Sequence, residues 1–367
     1  MGKMITTNEV LLWLDSFDFL TYRKKEKFID VFEDIEKIFN INNLKEKRES
    51  ILKIITDEEY NILKNQLTEK CVEGLIKNLE SKGIKYITYY SKEYPMTLKN
   101  IDTPPFVLYY KGDISLLKTD SFAIVGSRQI TSYGKMATEK FAKDLVKADF
   151  TIVSGLASGV DTVAHSVTLA EQGKTIAVLA GGLDEIYPAT NTNLADQIVK
   201  NNGLLITETR CNKKAETYMF PIRNRIIAGL SKGILITEAK EKSGVIHTKN
   251  YALEYGKDVF AIPGSIFNFT SIGTNRMIVN GQAKAVVTID DILEEYGISL
   301  QKKAKAVYNF SMEESIVINL LSSGEKSFQE LTDQSKLPVK TLNSLLTTLS
   351  IRGIIKKLTG NIYYLTD

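Results

Sequence analysis

Residues 121–153 read SFAIVGSRQITSYGKMATEKFAKDLVKADFTIV, and the fold class of the chain follows from them. They open with a short apolar run that ends at Gly126, and a second apolar run begins at Phe150. Between the runs, residues 133–147 place apolar side chains three and four positions apart, which is the spacing of an amphipathic helix. A short strand, a helix of crossover length and another short strand predict neighbouring parallel strands in a buried sheet.

The same alternation continues to about residue 297. Further strands are predicted at residues 175–179, 204–207, 233–237, 258–262 and 285–287, and further helices at 160–171, 191–201, 222–230, 245–255 and 290–295. This pattern predicts an α/β fold, a Rossmann-like parallel sheet with helices on both faces. Residues 83–110 are rich in aromatic and β-branched side chains and predict a connector with one or two strands.

Four regions are predicted along the chain. They are a small all-helical (SAM-like) domain at 1–84, the Rossmann-like domain at 85–298, a linker at 299–307 and a winged helix-turn-helix domain at 308–367. The last region combines three helical patterns with a hairpin. Its recognition helix, residues 341–350, carries no charge, so DNA reading and protein docking both stay open for this domain.

Composition limits the function classes. The chain has 367 residues, of which 43% are hydrophobic and 25% charged, as in an ordinary soluble globular protein. Its formal net charge is only +3, so a nucleic-acid role would need the positive charge gathered in one groove. Cys71 and Cys211 match no metal or redox spacing and are expected to be reduced thiols. With no signal peptide and no apolar run of transmembrane length, we expect a cytoplasmic protein without a membrane partner.

Residues 219–229, MFPIRNRIIAG, predict an anion-binding corner. Arg223 and Arg225 flank Asn224 just before an apolar helical turn, and Pro221 suits the beginning of a helix. The arginines are too close in sequence to share one helical face, so they should fan out. A guanidinium binds phosphate in a plane, and a helix start adds unpaired N–H groups and the positive end of the dipole.

Loops that contain glycine follow the predicted strands, at residues 126–128, 154–159, 180–182, 238–244 and 263–265. Carboxyl ends of parallel strands meet at one sheet edge, where glycines let backbone N–H groups approach a phosphate. We therefore expect Arg128, Arg223 and Arg225 to converge there. The hydroxyls of Ser127, Ser158 and Ser243 either donate to the same anion or cap helices.

Motifs of catalysis are missing from the sequence. It contains no P-loop, and the glycine loop after the second strand lacks the dinucleotide spacing. Asp161 and His165 lie four apart on one predicted helix, but no nucleophile stands in a recognisable elbow, so a structural, hydrogen-bonded histidine is favoured. Asp184, Glu208 and Glu238 lie near strand ends, where they either polarise a sugar or cap and orient neighbouring groups such as arginines.

The motifs, in this order, resemble the DprA (Smf, DNA-processing protein A) family. They are VGSR at 125–128, SGLASGVD at 154–161 with His165, AGGLD at 180–184, Tyr187-Pro188, FPIRNRII at 220–227, TEA at 237–239 with Ser243-Gly244, and IPG at 262–264. The resemblance implies a non-enzymatic, homodimeric protein without cofactor or metal. Such a protein binds and protects incoming single-stranded DNA in natural transformation and loads the RecA recombinase onto it.

The expected phosphate-binding residues follow from the resemblance together with the glycine loops. They are Gly126, Ser127, Arg128, Gly155, Ser158, Gly159, Arg223, Asn224, Arg225, Ser243 and Gly244. If the three arginines each neutralise one phosphate, they contribute about −2 to the slope of log affinity against log salt.

Two other classes of function stay open. A Rossmann-like nucleotide phosphoribohydrolase of the lysine-decarboxylase-like family would use a Pro-Gly-Gly-x-Gly-Thr loop and a following glutamate. The comparable residues 180–184 lack the Gly-Thr pair. A winged-helix regulator of duplex DNA would instead place the binding function in residues 308–367.

Overall fold

The computed structural model describes residues 5–32, 34–298, 310–358 and 360–365. The chain forms two compact units, residues 1–300 and residues 301–367. The predicted linker at 299–307 lies outside the described residues. None of the described helices combines the length and the apolar composition that crossing a bilayer requires.

The first unit begins with helices, as the sequence predicts. They are α1 (Thr7–Asp15), α2 (Tyr22–Phe32), a 3-10 helix (Ile35–Phe39), α3 (Ile41–Glu46), α4 (Arg48–Ile51), α5 (Asp57–Asn65) and α6 (Glu69–Ser81). The side chains of Thr6 and Glu9 form a capping box that starts α1. Trp13 is buried among these helices, and its Nε1 donates a hydrogen bond to the carbonyl of Gln66 at 2.9 Å.

A sheet with its crossover helices follows. The elements are β1 (Lys85–Thr88), α7 (Met96–Lys99), β2 (Val107–Gly112), a 3-10 helix (Ile114–Lys118), β3 (Ser121–Val125), α8 (Ser132–Lys147), β4 (Thr151–Ser154), α9 (Val160–Ala170), β5 (Thr175–Val178), a 3-10 helix (Ala189–Asn191), α10 (Thr192–Lys200), β6 (Leu204–Thr207), α11 (Met219–Leu230), β7 (Gly233–Ile236), α12 (Val245–Glu254), β8 (Asp258–Ala261), α13 (Ile272–Val279), β9 (Lys284–Ala285), α14 (Asp290–Leu293) and a 3-10 helix (Glu294–Tyr296). The strand order is β1-β2-β6-β5-β4-β3-β7-β8-β9.

The side chains of β3 alternate between two hydrophobic cores. Ala123 and Val125 face the core that contains residues of α11 and α12, whereas Phe122 and Ile124 face the core that contains residues of α8 and α9. Every residue of β3 is buried, as expected of a central strand covered on both sides. The predicted Rossmann-like sheet with helices on both faces is confirmed.

The N-terminal helices share a third core with the sheet. Trp13 and Phe28 belong to the same buried cluster as Tyr109 of β2 and Leu179 after β5. The Tyr109 hydroxyl also donates to Asp15 Oδ2 at 2.7 Å. The helices therefore pack onto the sheet within one compact unit, and a domain boundary after residue 84 stays a prediction.

Two details of the sheet differ from the expectation. First, β1 pairs with β2 and β2 with β6 in antiparallel fashion, so the connector at 83–110 adds an antiparallel edge to the parallel sheet. Second, α13 lies between β8 and β9 where no helix was predicted. Its sequence, IGTNRMIV, contains Gly273, Thr274 and Asn275, which are weak helix formers, so tertiary packing of Met277 outweighs local propensity.

The second unit is small and contains both helices and strands. Its elements are α15 (Met312–Ser322), β10 (Lys326–Ser327), α16 (Phe328–Ser335), α17 (Val339–Ile351), β11 (Ile355–Leu358) and β12 (Ile362–Leu365), with strand order β10-β12-β11. Capping boxes at Ser311 and Glu314 and at Ser327 and Glu330 start α15 and α16. The three helices and the hairpin appear in the predicted order, and the winged helix-turn-helix assignment stays a prediction.

Candidate functional site

A cleft of about 580 Å³ lies where β3, β4 and β7 end. The chain runs from β3 outward through β4, β5 and β6 and then returns to the other side of β3 as β7. Connections that leave such a switch point in opposite directions open a crevice at the carboxyl ends of the strands. We call this crevice the β3 cleft. Its lining is Val125, Gly126, Ser127, Arg128, Gln129, Ala157, Asp161, Tyr187, Thr217, Phe220, Pro221, Arg223, Asn224, Ile227, Lys240, Lys242, Ser243, Gly244, Val245 and Thr248.

The β3 cleft is cationic. Its charged lining side chains are Arg128, Arg223, Lys240 and Lys242 against one carboxylate, Asp161. Arg128 and Lys242 are exposed, and Lys240 Nζ donates to Gln129 Oε1 at 2.6 Å. The chain has a net charge of only +3, yet it gathers positive charge in one groove. Such a groove is what a weakly charged protein needs in order to bind nucleic acid.

Arg223 forms the floor of the β3 cleft and is only 5% exposed. Its Nη1 donates to the carbonyl of Gly155 at 2.7 Å and to the carbonyl of Val178. A Cβ on residue 155 would lie 2.6 Å from Nη2, so glycine makes the room that the guanidinium occupies. Arg223 therefore connects the end of β5 to the loop after β4.

Asp161 lies beside this buried guanidinium. Its Oδ2 accepts hydrogen bonds from the backbone N–H groups of Gly155, at 3.1 Å, and Ala157, at 3.3 Å. Burial raises the pKa of Asp161, and the charge of Arg223 opposes that change. Burial also lowers the pKa of Arg223 to about 10, while Asp161 acts in the opposite direction. The two charges stabilise each other in a site with little solvent.

His165 is a structural residue, as the sequence favours. Its Nδ1 lies 2.7 Å from the hydroxyl of Thr175, and that hydroxyl donates to the carbonyl of Ile152. Because the hydroxyl proton is used there, His165 Nδ1 must carry its own proton. Within the described residues its Nε2 has no hydrogen-bond partner. Burial, with a smaller effect of Arg223, lowers the pKa of His165 to about 3.

Arg225 points away from the β3 cleft, so the expected convergence of three arginines is wrong for this residue. Its Nη1 and Nη2 donate to the two carboxylate oxygens of Glu208, at 2.9 and 2.5 Å, in a bidentate pair. Its Nε donates to the hydroxyl of Thr103 at 3.0 Å. The two arginines do fan out, and Glu208 takes the arginine-orienting role that the sequence left open.

The remaining predicted residues divide into two groups. Those that line the β3 cleft are Gly126, Ser127, Asn224, Ser243 and Gly244. As far as the described residues show it, the lining leaves out Gly155, Ser158 and Gly159. Gly159 has a φ of 82°, and a Cβ there would lie 2.3 Å from the carbonyl oxygen of Ser127. It lets the loop after β4 pass close to the loop after β3.

Two of the three serines have local hydrogen bonds. Ser127 Oγ donates to the carbonyl of Gln129 at 2.9 Å and accepts from its N–H at 3.1 Å. Ser243 Oγ accepts from the N–H of Val245 at 3.4 Å, where α12 begins. Ser158 is exposed. The hydroxyls of Ser127 and Ser243 therefore stabilise a turn and a helix start, which agrees with the capping alternative rather than with donation to an anion.

Phe220 gives the β3 cleft an aromatic wall that sequence reasoning based on charge missed. Helix α11 begins at Met219, three residues before the predicted start, which places Phe220 in its first turn. Arg128 Cζ lies 4.8 Å from the centre of the Phe220 ring, and the Tyr187 ring packs edge-to-face against it at 5.6 Å. The available signal was that both aromatic residues directly precede a proline, in motifs that the resemblance already included.

The fold and the cleft together define a class of protein: a Rossmann-like α/β protein with a cationic, aromatic-walled cleft at its switch point. Comparison with known families is more specific. The family described as DNA recombination-mediator protein A matches residues 85–297. The DNA processing protein DprA of Bacillus subtilis is 40% identical over 250 residues, covering 67% of this chain and 84% of its own. The DprA of Streptococcus pneumoniae is 44% identical over 203 residues, covering 55% of this chain and 71% of its own.

Solved structures agree with this assignment. The X-ray structure of DprA from Streptococcus pneumoniae has a TM-score of 0.68 at 34% identity, covering 79% of this chain and 98% of its own. The Helicobacter pylori protein, described for its unique single-stranded DNA binding mode, has a TM-score of 0.53 at 32% identity, covering 59% of this chain and 97% of its own. The chain belongs to the DNA recombination-mediator protein A (DprA/Smf) family, and the resemblance seen in the sequence is confirmed.

Proposed function

We propose that this protein binds single-stranded DNA in the β3 cleft, holds the strand without cleaving it, and loads the RecA recombinase onto it. The presence of Arg128, Lys240 and Lys242 in one cleft with the Phe220 ring, which Arg128 contacts, carries the proposal. Cations neutralise phosphates, and exposed rings stack with unpaired bases, whereas the bases of a duplex are already stacked. The single-stranded DNA binding described for the Helicobacter pylori relative supports the same function.

The residues of the cleft take different roles in this proposal. Arg128, Lys240 and Lys242 contact phosphates from the rim. Arg223 adds positive potential from the floor, while its Nη1 stays bonded to two backbone carbonyls and its Nε donates to Asn224 Oδ1 at 3.2 Å. The residues proposed to present backbone or amide groups to the strand are Gly126, Ser127, Asn224, Ser243 and Gly244. Gly155 and Gly159 give the loops around these groups the room that they need. Arg225 holds Glu208 and Thr103 away from the cleft, and Ser158 is a phosphate contact at the edge of the site.

The hydrolase alternative has less support from the site. Asp184 ends the loop that compares with the hydrolase motif, and it accepts hydrogen bonds from Lys82 Nζ at 2.7 Å and from the N–H of Asn212 at 2.9 Å. Asp161, the carboxylate in the cleft, is held by two backbone N–H groups. Both carboxylates are thus engaged in structural hydrogen bonds.

The wider role is carried over from the family resemblance. We propose that the bound strand is incoming DNA in natural transformation, that the protein protects it in the cytoplasm, and that it acts as a homodimer. Light scattering tests the homodimer. The lag before RecA assembles on single strands that are covered by a competing protein tests RecA loading.

Fluorescence anisotropy with a thymidine 20-mer, compared with a duplex of the same length at two salt concentrations, tests the central function. We expect the single strand to bind more tightly, and the Arg128→Ala/Lys242→Ala variant to bind it more weakly, because two phosphate contacts are lost. Equal binding by this variant contradicts the proposal. Release of free base from a nucleotide would support a hydrolase, and a duplex preference that disappears on deleting residues 308–367 would support a regulator.

A further inference from the structure

The loop at residues 265–270, SIFNFT, carries three exposed apolar side chains. Ile266, Phe267 and Phe269 are 77%, 92% and 58% exposed. Apolar side chains grouped on a surface in this way mark an interaction site more often than single ones do. We call residues 265–270 the aromatic loop.

Hydrogen bonds inside the aromatic loop fix its shape. The N–H of Asn268 donates to the carbonyl of Ser265 at 3.0 Å, and the N–H of Phe267 donates to Ser265 Oγ at 3.3 Å. The N–H of Thr270 donates to Asn268 Oδ1 at 3.2 Å. The polar groups thus bond within the turn, and the rings are left on the outside.

Glu238 connects the aromatic loop to the loop that follows β3. This buried carboxylate accepts from the hydroxyl of Thr270 at 3.0 Å through Oε1 and from the N–H of Thr131 at 2.9 Å through Oε2. Thr131 is also the N-cap residue of α8. The aromatic loop and residues 126–131 therefore share one buried anchor.

Lys240 makes the aromatic loop continuous with the β3 cleft. Its Nζ lies 4.9 Å from the centre of the Phe269 ring and also bonds to Gln129, and both Lys240 and Gln129 line the cleft. A path from the Phe220 ring thus passes Arg128 and Lys240 and reaches Phe269, with a ring at each end and two cations between them. Single-stranded DNA presents a base and a phosphate at every nucleotide, so it can contact both the rings and the cations of this path.

We propose that the aromatic loop extends the DNA-binding surface of the β3 cleft. Bases that leave the cleft stack on Phe269 and Phe267, while Lys240 neutralises the phosphate between these two bases. This inference rests on the proposed function. An anionic strand fits the loop better than an apolar protein surface does, because Lys240 places a cation against the Phe269 ring and continues into the cationic β3 cleft.

A length series tests the inference with the full chain and thymidine oligonucleotides from about 4 to 16 nucleotides, the range of site sizes seen for OB-fold single-strand binders. The Phe267→Ala/Phe269→Ala variant should bind the shortest strand like the wild type. It should bind the longest at least about 10-fold more weakly, because each stacked base contributes about 5-fold or more. Ile266→Ala removes apolar surface without removing a ring and should stay within about 2-fold.

The Phe267→Trp variant gives a second measurement. The only tryptophan of the chain, Trp13, is buried, so an exposed indole at position 267 reports on its own surroundings. We expect the long oligonucleotide to quench its fluorescence and the shortest one to leave it unchanged. Absence of quenching by the long strand would overturn the inference.

The outcomes separate the two proposals. If the wild type binds no single strand of any length, the proposed function fails and the inference fails with it. If the double variant matches the wild type at every length, the β3 cleft still binds DNA and only the inference fails. If it loses self-association in light scattering while its length series is unchanged, the loop contacts protein and the inference is wrong.

Discussion

The buried arginines and the rim cations carry the same charge on and around one site but use it differently. The buried pair, Arg223 and Arg225, is 5% exposed at each residue and donates to backbone carbonyls or to Glu208. The rim cations are Arg128, Lys240 and Lys242, of which the first and last are exposed. A buried charge costs several kcal/mol unless it is paired, whereas an exposed cation can exchange its counterions for a phosphate.

The buried arginines and the rim cations therefore have two different functions, one in stabilising the fold and one in contacting DNA. Arg223 and Arg225 belong to one of the motifs that resemble the family, yet their hydrogen bonds hold strands and loops together. The rim cations stand on two different loops, after β3 and after β7, and both loops line the β3 cleft. Substitutions in the two groups should therefore have opposite signatures in stability and in DNA binding.

Arg223→Ala should give the largest effect, a loss of about 3–5 kcal/mol in the free energy of unfolding. The substitution leaves the carbonyls of Gly155 and Val178 without their donor and Asp161 without its neighbouring cation. Urea denaturation measures the loss. Arg223→Lys, the matched control, keeps the charge without the planar fork and should lie between the alanine variant and the wild type. If the alanine variant is as stable as the wild type, Arg223 has no structural role and acts like the rim cations.

Arg225→Ala should cost about 2–3 kcal/mol, less than a fully buried pair, because the Glu208 side chain is partly exposed. A double-mutant cycle with Glu208→Gln isolates the pair from other effects of each substitution. The folded fraction of the variant should bind single-stranded DNA within about 2-fold of the wild type, since Arg225 faces away from the cleft. A large loss of affinity for DNA with unchanged stability would mean that Arg225 contacts the strand.

The pKa of His165 tests how strongly the surroundings of Arg223 are shielded from solvent in comparison with the exposed rim. Its pKa is lowered to about 3, so below pH 6.5 the unfolded chain takes up a proton that the folded chain refuses. This contribution to stability is complete above pH 6.5 and is lost as the pH falls toward 3. Between pH 6.5 and pH 5 we expect a loss of about 2 kcal/mol, which His165→Gln should remove.

Arg128→Ala should change stability by less than about 0.5 kcal/mol, the smallest effect of the series on folding. Its effect should appear in binding, as a salt slope for single-stranded DNA that is shallower by about 0.7. Anisotropy titrations at several salt concentrations measure the slope. A shift in the urea midpoint comparable to that of Arg225→Ala would mean that Arg128 has a structural role.

The sequence predicts the parallel strands well because their short apolar runs are buried on both faces and alternate with helices of crossover length. It places the loops of Arg128 and Lys240 at one sheet edge for the same reason. The orientation of Arg225 could not be predicted in this way, because its partner Glu208 lies on another loop and only the fold brings the two together. Helix α13 was missed because its local propensity is weak. Charges and glycines do not reveal Phe220, because its role depends on where the fold places the ring in the cleft, beside Arg128.

The most direct measurement is the salt dependence of single-stranded DNA binding by the triple variant Arg128→Ala/Lys240→Ala/Lys242→Ala, beside Arg225→Ala and the wild type. We expect the slope of log affinity against log salt to become shallower by about 2 in the triple variant, with an unfolding free energy close to that of the wild type. Arg225→Ala should keep the wild-type slope. An unchanged slope in the triple variant, or an equal change in Arg225→Ala, would contradict the division between buried and rim cations.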